Sequence, residues 1–419
     1  MFSLRNVQMV ELIRLVFLSA GKRIIVLCGH FFIGMPSKLS FGIDSFLLRE
    51  TAVRNQRLTL VTNNAAMDIS GTLSRVALLN HHFNLISLFS PEHGITVKGD
   101  DGVPQQGGED VVTGLPVISL YSERLAPNEE DLKDVDLVLF DIPDVGCRFY
   151  TYLWTMTYVM EACARAGKRF VVLDRPNPIG ALLENAEGPM LDEAHCASFI
   201  GRWNIPLKHA CTLGELALYF AATRMPALQI DVVKVEGYHR HHTAVDAFPF
   251  VPTSPAIQNI HTAMLYPGTG LLEGILVNEG RGTDHPFSQF GAPWINVDEL
   301  YPALQAVLQH VQLEPVHYVP SSGVFADETC YGVKLKITDL PNFKAVTTGI
   351  NILQTIFRFY PEMVQERFYT THANPSGVKH LDKLLGYKNA FEKMKNQESP
   401  AIDLSQNWFR TMAPYLLYV

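Results

Sequence analysis

The sequence predicts an α/β fold, a doubly wound parallel sheet followed by a second, smaller α+β unit. Three observations predict it. In the first half, four short apolar runs each end in a polar corner, with helical patterns between them. At 419 residues the chain is too long for one ordinary core, so two packed units are expected, over 35–250 and 251–419. The second unit opens on six glycines between Gly268 and Gly291, then mixes strand and helix patterns.

Residues 1–34 carry two apolar patches, 9–18 and 24–34, separated by Gly21, Lys22 and Arg23. Each is too short to span a bilayer. The stretch lacks the basic start, single apolar run and small-residue cleavage site of a signal peptide. An amino-terminal extension is therefore expected, with a cytoplasmic location favoured over a secreted one.

From residue 35 the unit of strand, corner and helix begins. Residues 57–62 (RLTLVT) read as a strand ending at Asn63, followed by a helix over 71–81. Residues 85–89 form a second strand that runs into SPEHG, placing Glu92 and His93 at its carboxyl end. The irregular, polar stretch 98–108 (KGDDGVPQQGG) reads as a loop over the same edge. A third strand, 137–140, opens DLVLFDIPDVGCRFYTYLWTM and ends near Asp141; Pro143, Asp144 and Gly146 punctuate it before Arg148 and a helix over 150–166 with Tyr150 and Tyr152. The fourth, 169–173, ends in DRPNP with Asp174, Arg175 and Asn177. Right-handed crossovers bring all four corners to one edge of the sheet, where ligands of open α/β sheets bind. Pro91 and Pro176 stiffen two of these corners.

Further on, Thr212 and Glu215 make a capping box ahead of an apolar helix, and a strand follows over 230–235. His239, His241 and His242 lack the helical spacing and carboxylate partner of a zinc site, so no metal is expected. The glycine-dense stretch holds a second polar focus, Glu273 with Glu279, Arg281 and Thr283. A strand at 333–337 and helices at 346–359 and 381–396 complete the second unit.

Composition narrows the function. Hydrophobic residues make up 47% and charged ones 18%, which suits a globular enzyme. A net charge of −8 without a Lys/Arg cluster argues against nucleic acid and anionic membranes. The six cysteines show no CxxC pair, so neither a zinc ribbon nor a disulfide framework is indicated. Neither a Walker motif nor a GxGxxG fingerprint follows a strand, and no cofactor is expected. Oligomeric state is left open.

SPEHG, DIPDVGCRFYTY, VLDRPNP, TLGELA and EGRGT, in this order, resemble the exo-β-N-acetylmuramidase family from about Leu39 to the carboxyl terminus. The resemblance implies a Rossmann-like domain joined to a second domain, with the active site in the cleft between them. It implies removal of terminal N-acetylmuramic acid from the non-reducing end of peptidoglycan fragments. Pro143, Ala210 with Cys211, and Ile275 with Leu276 depart from the family pattern but leave its charged residues intact.

Glycoside hydrolysis needs two carboxyl groups flanking the bond. Glu92 is expected to be the acid, because a buried strand and a stiffened corner beside His93 would raise its pKa. Glu273, Glu279, Asp141 and Asp144 compete for the partner role. Arg148, Arg175 and Arg281 are candidates for the lactyl carboxylate of muramic acid, and Tyr150 and Tyr152 for a sugar-binding wall. Asn63, His93, Asp174, Asn177 and Thr283 complete the expected binding set. The alternatives are a muropeptide- or sugar-binding protein without turnover and a nucleotide-dependent enzyme.

Overall fold

β1 (Leu58–Thr62) is buried along its whole length. An unbroken apolar run of this kind needs both faces of its sheet covered. The computed structural model describes residues 39–402 and 405–419. The expected extension over 1–34 lies outside the described residues. The other strands are β2 (Leu85–Ser90), β3 (Gly108–Glu109), β4 (Pro116–Ser119), β5 (Leu137–Asp141), β6 (Arg169–Leu173), β7 (Glu187–Met190), β8 (Pro206–Lys208) and β9 (Ile230–Val233). In the carboxy-terminal part they are β10 (Gln289–Ala292), β11 (Val311–Tyr318) and β12 (Cys330–Ile337).

The main sheet runs β3-β4-β2-β1-β5-β6-β9. All its neighbours pair in parallel except β3, which lies antiparallel on β4 at the edge. Counted in chain order, the parallel strands stand 3-2-1-4-5-6, the doubly wound Rossmann arrangement with its switch point between β1 and β5. Side chains alternate between two cores. Val138 and Phe140 of β5 join one with Trp154 and Leu216, while Leu137 and Leu139 join another with Phe46 and Leu78.

Local signals set the helix ends. The helix Tyr152–Ala166 stops at Gly167, whose φ of 62° is the left-handed cap that glycine tolerates. Leu213–Arg224 starts on the Thr212–Glu215 capping box, as expected. The single helix expected over 381–396 is instead two, His380–Leu385 and Ala390–Lys395. The break falls at Gly386, at φ 85°, where a Cβ would sit 2.6 Å from Arg148 Nη2. Only glycine allows the guanidinium that close.

A smaller antiparallel sheet, β10-β12-β11, forms the second part with the helices Val297–Val307 and Ala345–Phe359. One continuous core runs from the main sheet into this sheet, joining Phe140 and Phe170 to Phe290 and Val333. The carboxyl end returns to the main sheet. Trp408 donates its indole N–H to His209 O at 2.7 Å, and Tyr418 its hydroxyl to Asp174 Oδ2 at 2.6 Å. No helix of the described residues is long and apolar enough to cross a membrane.

Candidate active site

Glu92 stands just beyond β2, after Pro91, and is 6% exposed. Its Oε1 accepts the Gly102 backbone N–H at 2.9 Å, and its Oε2 the Thr151 hydroxyl at 2.7 Å. Burial pushes the Glu92 carboxyl above its ordinary range, and the nearby charge of Asp101 pushes the same way. His93, Thr151 and Gly102 pull it down without reversing the shift. The adjacent His93 sits at φ 66° and its Nδ1 is 2.8 Å from Gly99 O. A carbonyl only accepts, so Nδ1 carries the proton and Nε2 faces Asp101 Oδ1 at 3.8 Å.

Asp101 comes from the 98–108 loop. Its Oδ2 accepts Arg281 Nη2 at 2.8 Å and also the Tyr369 hydroxyl. Burial would raise its pKa, but Arg281, His93 and Tyr369 outweigh that and hold it below the usual carboxylate range. About a third of its side chain, 34%, remains exposed to the cleft. Glu273, on the short turn Gly270–Gly274, lies 2.9 Å from the same Arg281 Nη2. Burial pushes Glu273 up to about 7 against the pull of Arg281, with the charges of Glu279 and Asp101 adding to the rise. Arg281 Nε stands 3.0 Å from Glu279 Oε1, without hydrogen-bond alignment, and Arg367 meets Glu279 Oε2 at 3.3 Å.

Glu92, His93, Asp101, Glu273 and Arg281 line a cleft whose empty space, open solvent included, is ≈ 760 Å³. Glu92, His93, Asp101 and Tyr150 come from the first part of the chain, and Glu273, Arg281, Tyr369 and Lys383 from the later part. The chemistry available is that of one carboxyl with a raised pKa beside another with a lowered one, the pairing that acid-assisted glycosidic bond cleavage uses.

Of the residues singled out in the sequence, the structure brings Glu92, His93, Tyr150, Glu273 and Arg281 into this cleft. Glu279 stands behind Arg281 and is 1% exposed. The others lie elsewhere, each with a local reason. Asp141 is paired bidentately with Arg175, at 2.5 and 2.9 Å, and Arg175 also donates to Met67 O. Arg175 and Asp144 line a separate recess with Phe41 and Phe250. Asp144 Oδ2 accepts from Gly146 N at 2.9 Å and from His209 Nε2 at 3.2 Å. Arg148 is fully buried and donates to three carbonyls, of Pro189, Ile205 and Leu384. Burial lowers its pKa to about 10.

Asp174 takes Thr212 Oγ1, Gly214 N and the Tyr418 hydroxyl, and burial raises it to about 6. Asn177 bridges Cys211 O and Ile179 N, and Asn63 Oδ1 caps Ala65 N. Tyr152 is wholly buried and donates to Thr253 O, whereas the Tyr150 hydroxyl reaches Thr253 Oγ1 from the cleft wall. Thr283 donates to Gly280 O within its own turn.

Sequence reasoning missed Asp101, Thr151, Tyr369, His380 and Lys383, all of which line the cleft. It placed the loop bearing Asp101 over the correct edge without choosing a residue from it. Nothing periodic marks Tyr369 or Lys383, because what qualifies them is a tertiary neighbour.

Residues 58–261 match the family model described as exo-beta-N-acetylmuramidase NamZ, N-terminal, and residues 264–418 match its C-terminal counterpart. The chain is 38% identical over 396 residues to the peptidoglycan beta-N-acetylmuramidase NamZ of Bacillus subtilis, covering 91% of this chain and 92% of that protein. Two crystal structures of DUF1343 family proteins from Bacteroides fragilis share its fold, each over 91% of this chain and 99% of theirs. One has a TM-score of 0.82 at 30% identity, the other 0.67 at 27%.

Proposed function

The chain belongs to the exo-β-N-acetylmuramidase NamZ family and is a glycosidase that removes terminal β-N-acetylmuramic acid; we propose that Glu92 is its proton donor and Asp101 the ionised carboxylate working beside it. The substrates are the non-reducing ends of peptidoglycan fragments. The observation that carries the assignment is the opposite displacement of the two carboxyls. Burial shifts Glu92, bonded only to the neutral Thr151 and Gly102 donors, towards its protonated form, while the bonds from Arg281 and Tyr369 favour the charged form of Asp101.

In the reaction, the Glu92 O–H protonates the glycosidic oxygen as its bond to the anomeric carbon breaks, so the leaving sugar departs as a neutral alcohol. Positive charge grows on the ring, and Asp101 Oδ1, which carries none of the Asp101 hydrogen bonds, faces it with negative charge; a water then adds its oxygen to the anomeric carbon and gives up a proton to a carboxylate of the site, completing hydrolysis. Glu273 shares Arg281 with Asp101 and tunes that guanidinium. Tyr150 and Phe149 give the cleft an aromatic wall suited to a sugar face.

The test is chromophore release from 4-nitrophenyl β-N-acetylmuramide. The wild type should release it and Glu92→Gln should not do so at a comparable rate. Tight binding of the sugar by the wild type without any release would instead indicate a recognition protein.

A further inference from the structure

A muramic acid differs from its glucosamine counterpart by a lactyl ether that ends in a carboxylate, so a site that selects it needs a cation with a free donor. Three arginines were expected to compete for that role, and each already has partners. Arg148 and Arg175 lie outside the cleft, the first on three carbonyls and the second on Asp141. Arg281 is inside but already faces three carboxylates, Asp101, Glu273 and Glu279. Its Nη1 carries none of these contacts, but three carboxylates already outnumber its single positive charge, so a fourth would meet repulsion there.

One other cationic side chain lines the cleft. Lys383 lies on the helix His380–Leu385, one turn after His380, so both project from the same face. Its ammonium donates to Asn374 Oδ1 at 2.7 Å and to Val378 O at 3.0 Å, both uncharged. Among the described residues no carboxylate lies within ion-pair distance of it. An ammonium has three donors, and these contacts use two. His380 beside it does not compete for an anion: burial, with Arg367 and Lys383 nearby, drives its pKa down to about 3 and keeps the ring neutral. That ring stacks on Tyr369 with centroids 4.5 Å apart, which fixes the wall from which Lys383 reaches in.

We infer that Lys383 is the specificity-determining residue of this site, pairing through its third N–H with the free lactyl carboxylate of N-acetylmuramic acid. The inference rests on the muramidase reading above and adds the side chain that selects the sugar. The charge pattern orients the ligand. The charged Asp101 would repel the lactyl group, and the Lys383 ammonium, which faces no carboxylate, attracts it, so the carboxylate is drawn to the Lys383 wall while the anomeric carbon meets the acids.

The test separates this assignment from the activity itself by measuring binding. Titration calorimetry with N-acetylmuramic acid and with its lactyl methyl ester, which keeps the shape and loses the charge, should show the acid bound more tightly by the wild type. Lys383→Met should weaken the acid by about 10- to 100-fold, the range of a charge-assisted hydrogen bond, and leave the ester unchanged. Lys383→Arg should recover part of the difference, and thermal melts of both variants identify any loss of fold. No preference for the acid in the wild type, or the same preference in a folded Lys383→Met, would overturn the inference. Failure of the wild type to release nitrophenol from the muramide would overturn the hydrolase reading alone, because the binding comparison needs no turnover.

Discussion

Gly102 donates its backbone N–H to Glu92 Oε1 at 2.9 Å, and its preceding neighbour is Asp101. One short stretch of loop therefore positions both carboxyls. Gly102 takes φ 69°, and a Cβ there would stand 2.7 Å from Thr371 Cγ2. The left-handed backbone and the crowding both require glycine, so the contact between the loop and the acid depends on a residue with no side chain.

Glu92→Gln should lower turnover of a muramic acid-containing disaccharide by two to four orders of magnitude, roughly what a general acid supplies. Glutamine keeps the shape, accepts from Gly102 through its oxygen and can donate its NH2 to the Thr151 hydroxyl, but has no acidic proton. A nitrophenyl leaving group needs less protonation, so its turnover should fall less. Parallel kcat/KM measurements on the two substrates check this; an equal loss on both would point to a role other than proton donation.

Asp101→Asn should behave differently. It removes the charge that faces the ring and the ion pair with Arg281, so both substrates should suffer alike. Losing one of Arg281's carboxylates from a largely buried network should also cost about 1–3 kcal/mol of stability, read as a lower denaturant midpoint.

Glu273 gives a pH signature. Its folded-state pKa is raised from 4.5 to about 7, so the folded protein holds that proton more tightly than the unfolded chain. The resulting stabilisation is complete below about pH 4.5 and is lost as pH rises towards 7, at up to about 1.4 kcal/mol per pH unit. Glu273→Gln should flatten this part of the stability curve. Chemical denaturation of both proteins at several pH values between 4.5 and 7.5 measures it, and identical slopes would contradict the assignment.

Arg148 should matter for folding and not for chemistry. Arg148→Met strands three buried carbonyls, each worth about 1–3 kcal/mol when unpaired, and should lower the melting temperature sharply. Any folded fraction should bind N-acetylmuramic acid as the wild type does. A loss of affinity in folded protein would place Arg148 in recognition after all.

The sequence by itself determined the sheet and the end of the sheet that matters. Apolar runs such as LTLVT and LVLFD admit only strands covered on both faces, and right-handed crossovers then force Glu92, Asp141 and Asp174 to one edge. It also marked Glu92 as the acid candidate, since a buried strand leading into a proline corner is a local pattern, and it found Glu273 and Arg281 as a second focus. Only the tertiary structure decided which charges are free. Asp141 and Arg175 neutralise each other across neighbouring strands, Arg148 turns inward to carbonyls far along the chain, and Asp101 becomes a site carboxylate because Tyr369 and Arg281 reach it. Periodicity reports the face on which a side chain lies, whereas its charge state and its freedom to bind depend on partners supplied by distant segments. Lys383 is the clearest case: an unremarkable lysine in sequence, it is set apart by the cleft around it and by contacts that are all uncharged.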